Sequence, residues 1–319
     1  MTSKSAFLIV IALALVLGGC ASATLTAGSN LAKAGQTSAA QMEQNATISS
    51  TELVTLRKAV AFNDGFNGQI DNQDSKTFLK NVDAAQSKIS QYAKMLDSLA
   101  STYSALGDLA SYDAVGSFNT SFATFYKDSN KFLQSVKTGY QIPQETASAV
   151  QAGGGIVIGL IQAHEIKDAS RTIRVMLQTI IPIMDDPNTE TLLLLNKEVT
   201  TGMIDQAAVT LFSCGVYSYG PLLDDLGAAF NLKSNSQSDA VVAKNANLQR
   251  GLRNVQIELA NEQSDQMKAS YDKSVAALKA LVPLHESLEN GAPLNLDTVL
   301  AVTSELQTIA TKLQTTKGE

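Results

Sequence analysis

The sequence predicts an all-α protein, an elongated bundle of long antiparallel helices with heptad-like seams. Three observations carry that reading. Apolar residues recur at alternating intervals of four and three through most of the body, the spacing that keeps one narrow helix face against its neighbours. No stretch alternates apolar and polar residues as a half-buried strand does, and no strand-helix-strand rhythm is present. Glycine and proline gather at a few breaks, and the runs between them are longer than an ordinary helix.

The elements follow in order. Residues 20–45 hold mostly Ala, Ser, Thr, Gly and Gln, which predicts a flexible tether ahead of a single helical domain over 46–319. Ser49-Ser50-Thr51-Glu52 has the capping-box pattern and predicts a helix start before Leu53, Val54 and Leu56. Asn63-Asp64-Gly65-Phe66-Asn67-Gly68 supplies the turn that ends it. The clearest seam comes next, through Phe78, Val82, Ala85, Ile89, Tyr92, Leu96, Leu99, Tyr103 and Leu106, up to Gly107. A second passes through Val115, Phe118, Phe122, Phe125, Phe132 and Val136 with only Ser129 polar, and Gly139 and Pro143 close it.

A third seam runs through Ile166, Ala169, Ile173, Met176, Ile180 and Ile183, stopped by Pro182 and Asp185-Asp186-Pro187. Asp186 then caps a helix with Pro187 at its first position, where a missing N–H is harmless. That helix carries Leu192, Val199, Met203 and Val209 and ends near Gly215. Residues 217–238 form a long loop around a short helix near 222–230, with Tyr217 and Tyr219 as anchors for a partner. A long helix over about 239–282 follows, through Leu248, Leu252, Val255, Leu259, Met267, Tyr271, Leu278 and Leu281. Pro283 and Gly291-Ala292-Pro293 break it, and Val299, Val302, Leu306, Ile309 and Leu313 make the last seam.

One segment, 152–161, stands apart. Extending the third seam backwards passes Gln162, Gly159, Gly155 and Ala152, so the register survives while the side chains shrink. Gly155 and Gly159 form a small-xxx-small pair that lets a neighbouring backbone approach closely. The simplest reading is a tight helix crossing. An alternative is a membrane-perturbing segment, although 156–161 is too short to span a bilayer as a helix.

Chemical motifs are sparse. His164, Glu165 and Asp168 place a histidine and a carboxylate one turn apart, and His285, Glu286 and Glu289 do the same. A zinc site needs about three protein ligands, so a metal-dependent enzyme or metal-binding protein requires the two groups to converge. Solvent-exposed helix pairs explain each group without a metal. There is no nucleophile elbow, phosphate loop, dinucleotide fingerprint or paired Cys-x-x-Cys. The expectation is therefore no catalysis, no cofactor and no metal.

Hydrophobic residues make up 45% of 319 and mean hydropathy is +0.02, enough for a substantial core. Net charge is −6 with no basic stripe, which argues against a nucleic-acid partner. Of the two cysteines, Cys214 lies in an apolar helix end. It reads as a buried small hydrophobe, or otherwise as one half of an intermolecular disulfide.

The N-terminus carries the most specific signal. Lys4 precedes an apolar run over 6–17, the layout of a secretory signal. Leu17-Gly18-Gly19-Cys20 then resembles the lipobox of bacterial lipoproteins: a branched apolar residue, two small ones and the cysteine. The resemblance covers only the export segment. It implies a signal peptide over 1–19, cleavage between Gly19 and Cys20, and lipid on Cys20, where two or three acyl chains suffice for stable anchoring. It also implies, because Ala21 and Ser22 follow in place of an aspartate, an outer-membrane protein facing the periplasm in a Gram-negative source. The functional expectation is a lipid-anchored envelope protein with a binding or scaffolding role through its helix faces. Its partners would be the membrane, through Cys20, and another envelope protein or a second copy of itself.

Overall fold

The computed structural model describes the backbone of residues 3–68, 73–112, 115–142, 160–194, 206–212, 214–228 and 230–315. Side chains are described over the same stretches from residue 22 onward, apart from 160, 161 and 315. The protein is all-α, and no strand occurs among the described residues. The helices are α1 (Ser3–Phe66), α2 (Gln73–Ser111), α3 (Val115–Val136), α4 (Leu160–Met184), α5 (Pro187–Leu194), α6 (Gly220–Ala228), α7 (Ser238–Ala243), α8 (Ala246–Asn290) and α9 (Asp297–Thr315), with a further helical run over 206–212.

The chain divides into two compact units rather than the single domain that composition suggests over 46–319. The first unit comprises Met1–Thr47, Lys88–Leu192 and Ser270–Thr311, and the second Ile48–Ser87, Leu193–Ala269 and Lys312–Glu319. Both are discontinuous in sequence, because α1, α2 and α8 each contribute to both.

The first unit is a bundle built on the expected seams. Ile89, Tyr92, Leu96, Leu99, Tyr103 and Leu106 of α2 are buried, as are Phe118, Phe122, Phe125 and Phe132 of α3. The α4 seam from Ile166 to Ile183 and Tyr271, Leu278 and Leu281 of α8 complete its interior with Val299, Leu306 and Ala310 of α9. The Tyr92 ring lies 5.3 Å from Phe132 and 6.2 Å from Tyr271, centroid to centroid, tying α2, α3 and α8 together. The Tyr271 hydroxyl donates to the Met184 carbonyl at 2.6 Å, satisfying an acceptor at the end of α4.

The flexible tether is corrected. From residue 22 onward α1 is a core helix, with Leu31, Ala32, Ala39 and Met42 buried. Gly28, Ala32, Gly35, Ala39, Met42 and Ala46 alternate by four and three, so the segment is itself a heptad seam made of small residues. Small side chains here serve close helix approach, which composition alone cannot distinguish from a linker. The capping box at Ser49 is corrected too: no helix begins there. Ser49 and Glu52 are both buried on the inward face of a continuous α1, and Gln263 donates its side-chain amide to Glu52.

Two prolines expected to break helices do not. Pro182 lies inside the last turn of α4 and Pro283 inside α8. Each sits on a solvent-exposed strip, as do Gln178 and Lys279, whose carbonyls lose the proline's missing N–H. Water can satisfy those carbonyls, so the helices continue. Likewise α2 runs past Gly107 to Ser111, whereas the α3 segment does turn at Gly139 with φ 79°, a backbone conformation suited to glycine. The cap at Asp186 is present: its Oδ1 accepts the Asn188 backbone N–H at 2.9 Å. The helix expected from about residue 239 is interrupted at Lys244 and Asn245, between α7 and α8.

The second unit packs Leu53, Leu56 and Val60 of α1 with Val82 and Ala85 of α2, Leu193, Ala207, Val242 and Leu252. An exposed ion pair joins Arg57 Nε to Asp83 Oδ1 at 2.8 Å, and Ser75 donates to Asp64 at 2.7 Å.

Candidate functional site

The first unit contains a sealed polar array on three helices. It begins with Gly35 of α1, where a Cβ would stand only 2.3–2.5 Å from the Tyr103 ring. Glycine there is what lets the tyrosine of α2 lie flat against α1. The Tyr103 hydroxyl is 2.7 Å from His285 Nε2 on α8, and the two rings stack at 5.6 Å with 30° between planes. On the other side of the imidazole, Ser170 Oγ of α4 is 2.8 Å from His285 Nδ1 and 3.5 Å from the His285 carbonyl oxygen.

Tyr103, Ser170 and His285 have no solvent-accessible surface. Burial pushes the His285 pKa from 6.5 down to about 3, with the nearby Arg174 charge acting in the same direction, and the imidazole is neutral at ordinary pH. Burial also raises the Tyr103 phenol well above its ordinary value, so it too stays protonated. One arrangement of protons satisfies every group. Tyr103 donates to Nε2, Nδ1–H donates to Ser170 Oγ, and the Ser170 hydroxyl donates to the His285 carbonyl.

This is a serine beside a histidine, but its chemistry is that of a fastener. A nucleophile needs access to a carbonyl and a base that can take up a proton; here no face is open to a substrate, and the base is held neutral. The array instead fixes the register of α2, α4 and α8 around Gly35. A satisfied buried network of this kind can specify one packing arrangement among several of similar burial.

Beside it lies an ion-pair cluster at the surface of the same unit. Arg174 Nε and Nη2 donate to Glu289 Oε1 and Oε2, each at 2.8 Å, in a two-pronged clasp between α4 and α8. Arg171 Nε stands 3.6 Å from Glu289, and Arg174 Nη1 4.0 Å from Glu286. The hydrogen bond to Glu289 raises the Arg174 pKa further, while partial burial opposes it. Replacing Glu289 by Gln is expected to cost about 1–2 kcal/mol of stability, since a two-pronged pair of opposite charges becomes a single bond from the charged guanidinium to a neutral amide oxygen. A double-mutant cycle with Arg174→Met in urea checks it, and a coupling energy near zero would contradict it.

The two histidine groups therefore differ from the paired surface sites expected. His164 is exposed and 3.5 Å from Asp168, as its spacing suggests. His285 is a correction, because it lies in the core and both its ring nitrogens are engaged, leaving none for a metal. Glu286 and Glu289 face Arg174 instead. Among the described residues no cluster of three or more His, Cys, Asp or Glu side chains is arranged to hold a metal ion.

Cys214 is a second correction. It is exposed, in the turn after the helical run 206–212, where Gly215 reverses the chain with φ 68°. A thiol placed beyond the apolar face of its helix is not buried by that face. Of the two tyrosines singled out nearby, Tyr217 is exposed, whereas the Tyr219 ring stacks on Phe212 at 4.5 Å and its N–H donates to Asp239 at 2.6 Å. Val216, Phe230 and Leu232 are more than 60% exposed, so the 216–232 stretch presents several large apolar side chains to solvent.

Cys20 lies within α1, and nothing is described of its side chain. Gly155 and Gly159 lie outside the described residues. No helix among the described residues is long and apolar enough to cross a membrane. Sequence reasoning missed the Tyr103, Ser170 and His285 array. Its signal was the position of His285 on the apolar stripe of Leu278, Leu281 and Leu288. Comparisons with family models, characterised proteins and solved structures find no match.

Proposed function

We propose that this chain is a lipid-anchored protein of the bacterial cell envelope whose helical body binds or scaffolds other envelope components without catalysis. The observation that carries this reading is the agreement of Lys4, the apolar run over 6–17 and Leu17-Gly18-Gly19-Cys20. Cleavage after Gly19 leaves Cys20 as the first mature residue and the site of lipid attachment, outer-membrane and periplasm-facing in a Gram-negative cell. Two structural features support a binding role. The Ser170–His285 pair is sealed into a fastener, and the exposed apolar residues Val216, Tyr217, Phe230 and Leu232 offer side chains of the kind that mark protein contacts.

The test is direct. A Cys20→Ser variant is expected to lose palmitate labelling and to leave the membrane fraction on cell lysis. Unchanged labelling and fractionation would remove the anchor and, with it, this reading.

A further inference from the structure

The position of the anchor on α1 determines which end of the first unit meets the membrane. The α1 backbone is helical through Cys20, which precedes Gly28 by eight residues. Gly28 is already packed: a Cβ there would stand 2.8 Å from Ile166 Cγ2 and 3.6 Å from Ala110 Cβ. Eight helical residues rise about 12 Å, while the headgroup layer on each side of a bilayer is about 5–8 Å deep. Lipid on Cys20 thus holds this end of the bundle within a few ångströms of the headgroups, with no slack segment between them.

The same end gathers other elements. Ala110 is in the last turn of α2, and Gln162 at the start of α4 donates its side-chain amide to the Leu109 carbonyl at 2.7 Å. A Cβ on Gly291, just past α8, would stand 3.7 Å from Lys167 Nζ of α4. Two features of this end suit a lipid–water interface. Tyr112 is 59% exposed, and aromatic rings with a polar tip favour the headgroup level. The connection over 290–296, Asn-Gly-Ala-Pro-Leu-Asn-Leu, carries no charge, and Gly291, Ala292 and Pro293 are exposed.

We propose that this end of the first unit, with Tyr112 and the 290–296 connection, rests on the headgroup layer of the membrane that holds the anchor. The proposal rests on the lipoprotein reading and adds an orientation to it. α3 leads away from Tyr112, and its 22 residues place Tyr140 about 30 Å from that end.

The chain contains no Trp, so single Trp substitutions report position. Full-length processed protein carrying Tyr112→Trp or Tyr140→Trp is reconstituted in phosphatidylethanolamine and phosphatidylglycerol vesicles doped with lipid brominated just below the headgroup. Quenching at Tyr112→Trp is expected to exceed that at Tyr140→Trp by about two-fold or more, as for an aromatic at the interfacial layer. Equal quenching at both positions in protein that still floats with the vesicles would overturn the orientation and leave the anchor standing. Failure to float, with no palmitate on Cys20, would overturn both.

Discussion

Replacing Gly35 by Ala is expected to destabilise the first unit by about 1–3 kcal/mol, although the same change in an unhindered helix stabilises by about 1 kcal/mol. The sign follows from the 2.3–2.5 Å separation between a Cβ at this position and the Tyr103 ring. The ring cannot yield cheaply. It is fully buried, and its hydroxyl is bound to His285 at 2.7 Å. Moving it away strands a buried imidazole nitrogen, which costs about 1–3 kcal/mol. Gly107, one turn along α2 from Tyr103, is the internal comparison. Its Cβ would meet the Ala32 Cβ at 3.4 Å, within ordinary contact, so Gly107→Ala is expected to be neutral or mildly stabilising. Urea unfolding followed by circular dichroism measures both. A Gly35→Ala protein as stable as its parent would mean that α1 does not pack on Tyr103 as described.

The second large effect is on acid stability. In the folded state His285 has a pKa of about 3 against 6.5 when unperturbed. Between those values the unfolded chain binds a proton at this residue and the folded chain does not. Stability from this group is therefore fully present above pH 6.5 and is lost as pH falls towards 3. The slope is about 1.4 kcal/mol per pH unit for one proton. Acid carboxylates begin to contribute below about pH 5, so the diagnostic window lies between that and 6.5. His285→Gln keeps a donor and an acceptor but cannot take up a proton, and is expected to flatten the slope in that window. Equal slopes in parent and variant would show that the imidazole is not held neutral.

Much of the fold was legible because large apolar side chains announce a seam. The α2, α3 and α4 stripes lie buried as their spacing suggests, and Asp186 caps as its position before Pro187 suggests. The N-terminal stripe was not legible, for a physical reason. Gly28, Ala32, Gly35 and Ala39 bury little area each and carry almost no hydrophobic signal, yet Gly28 and Gly35 let Ile166 and Tyr103 pack directly against the α1 backbone. Pro182 and Pro283 misled in the opposite way, since a proline on an exposed strip, with its stranded carbonyl open to water, need not end a helix. Of the candidate sites, the polar fastener was hidden because its partners come from separate helices, with Tyr103 and His285 lying 182 residues apart. Distance in sequence conceals such a constellation until the helices are placed.

The bond from the Asn45 side chain to the Leu306 carbonyl, at 3.1 Å, has a bearing on how the protein is made. It joins α1 to α9 across 261 positions, so α1 is completed by a helix synthesised far later. Until α9 emerges, the Asn45 amide lacks this acceptor, and loop closure over so long a chain is slow. Synthesis order thus delays closure of the first unit until α9 has been made, however early its other helices form.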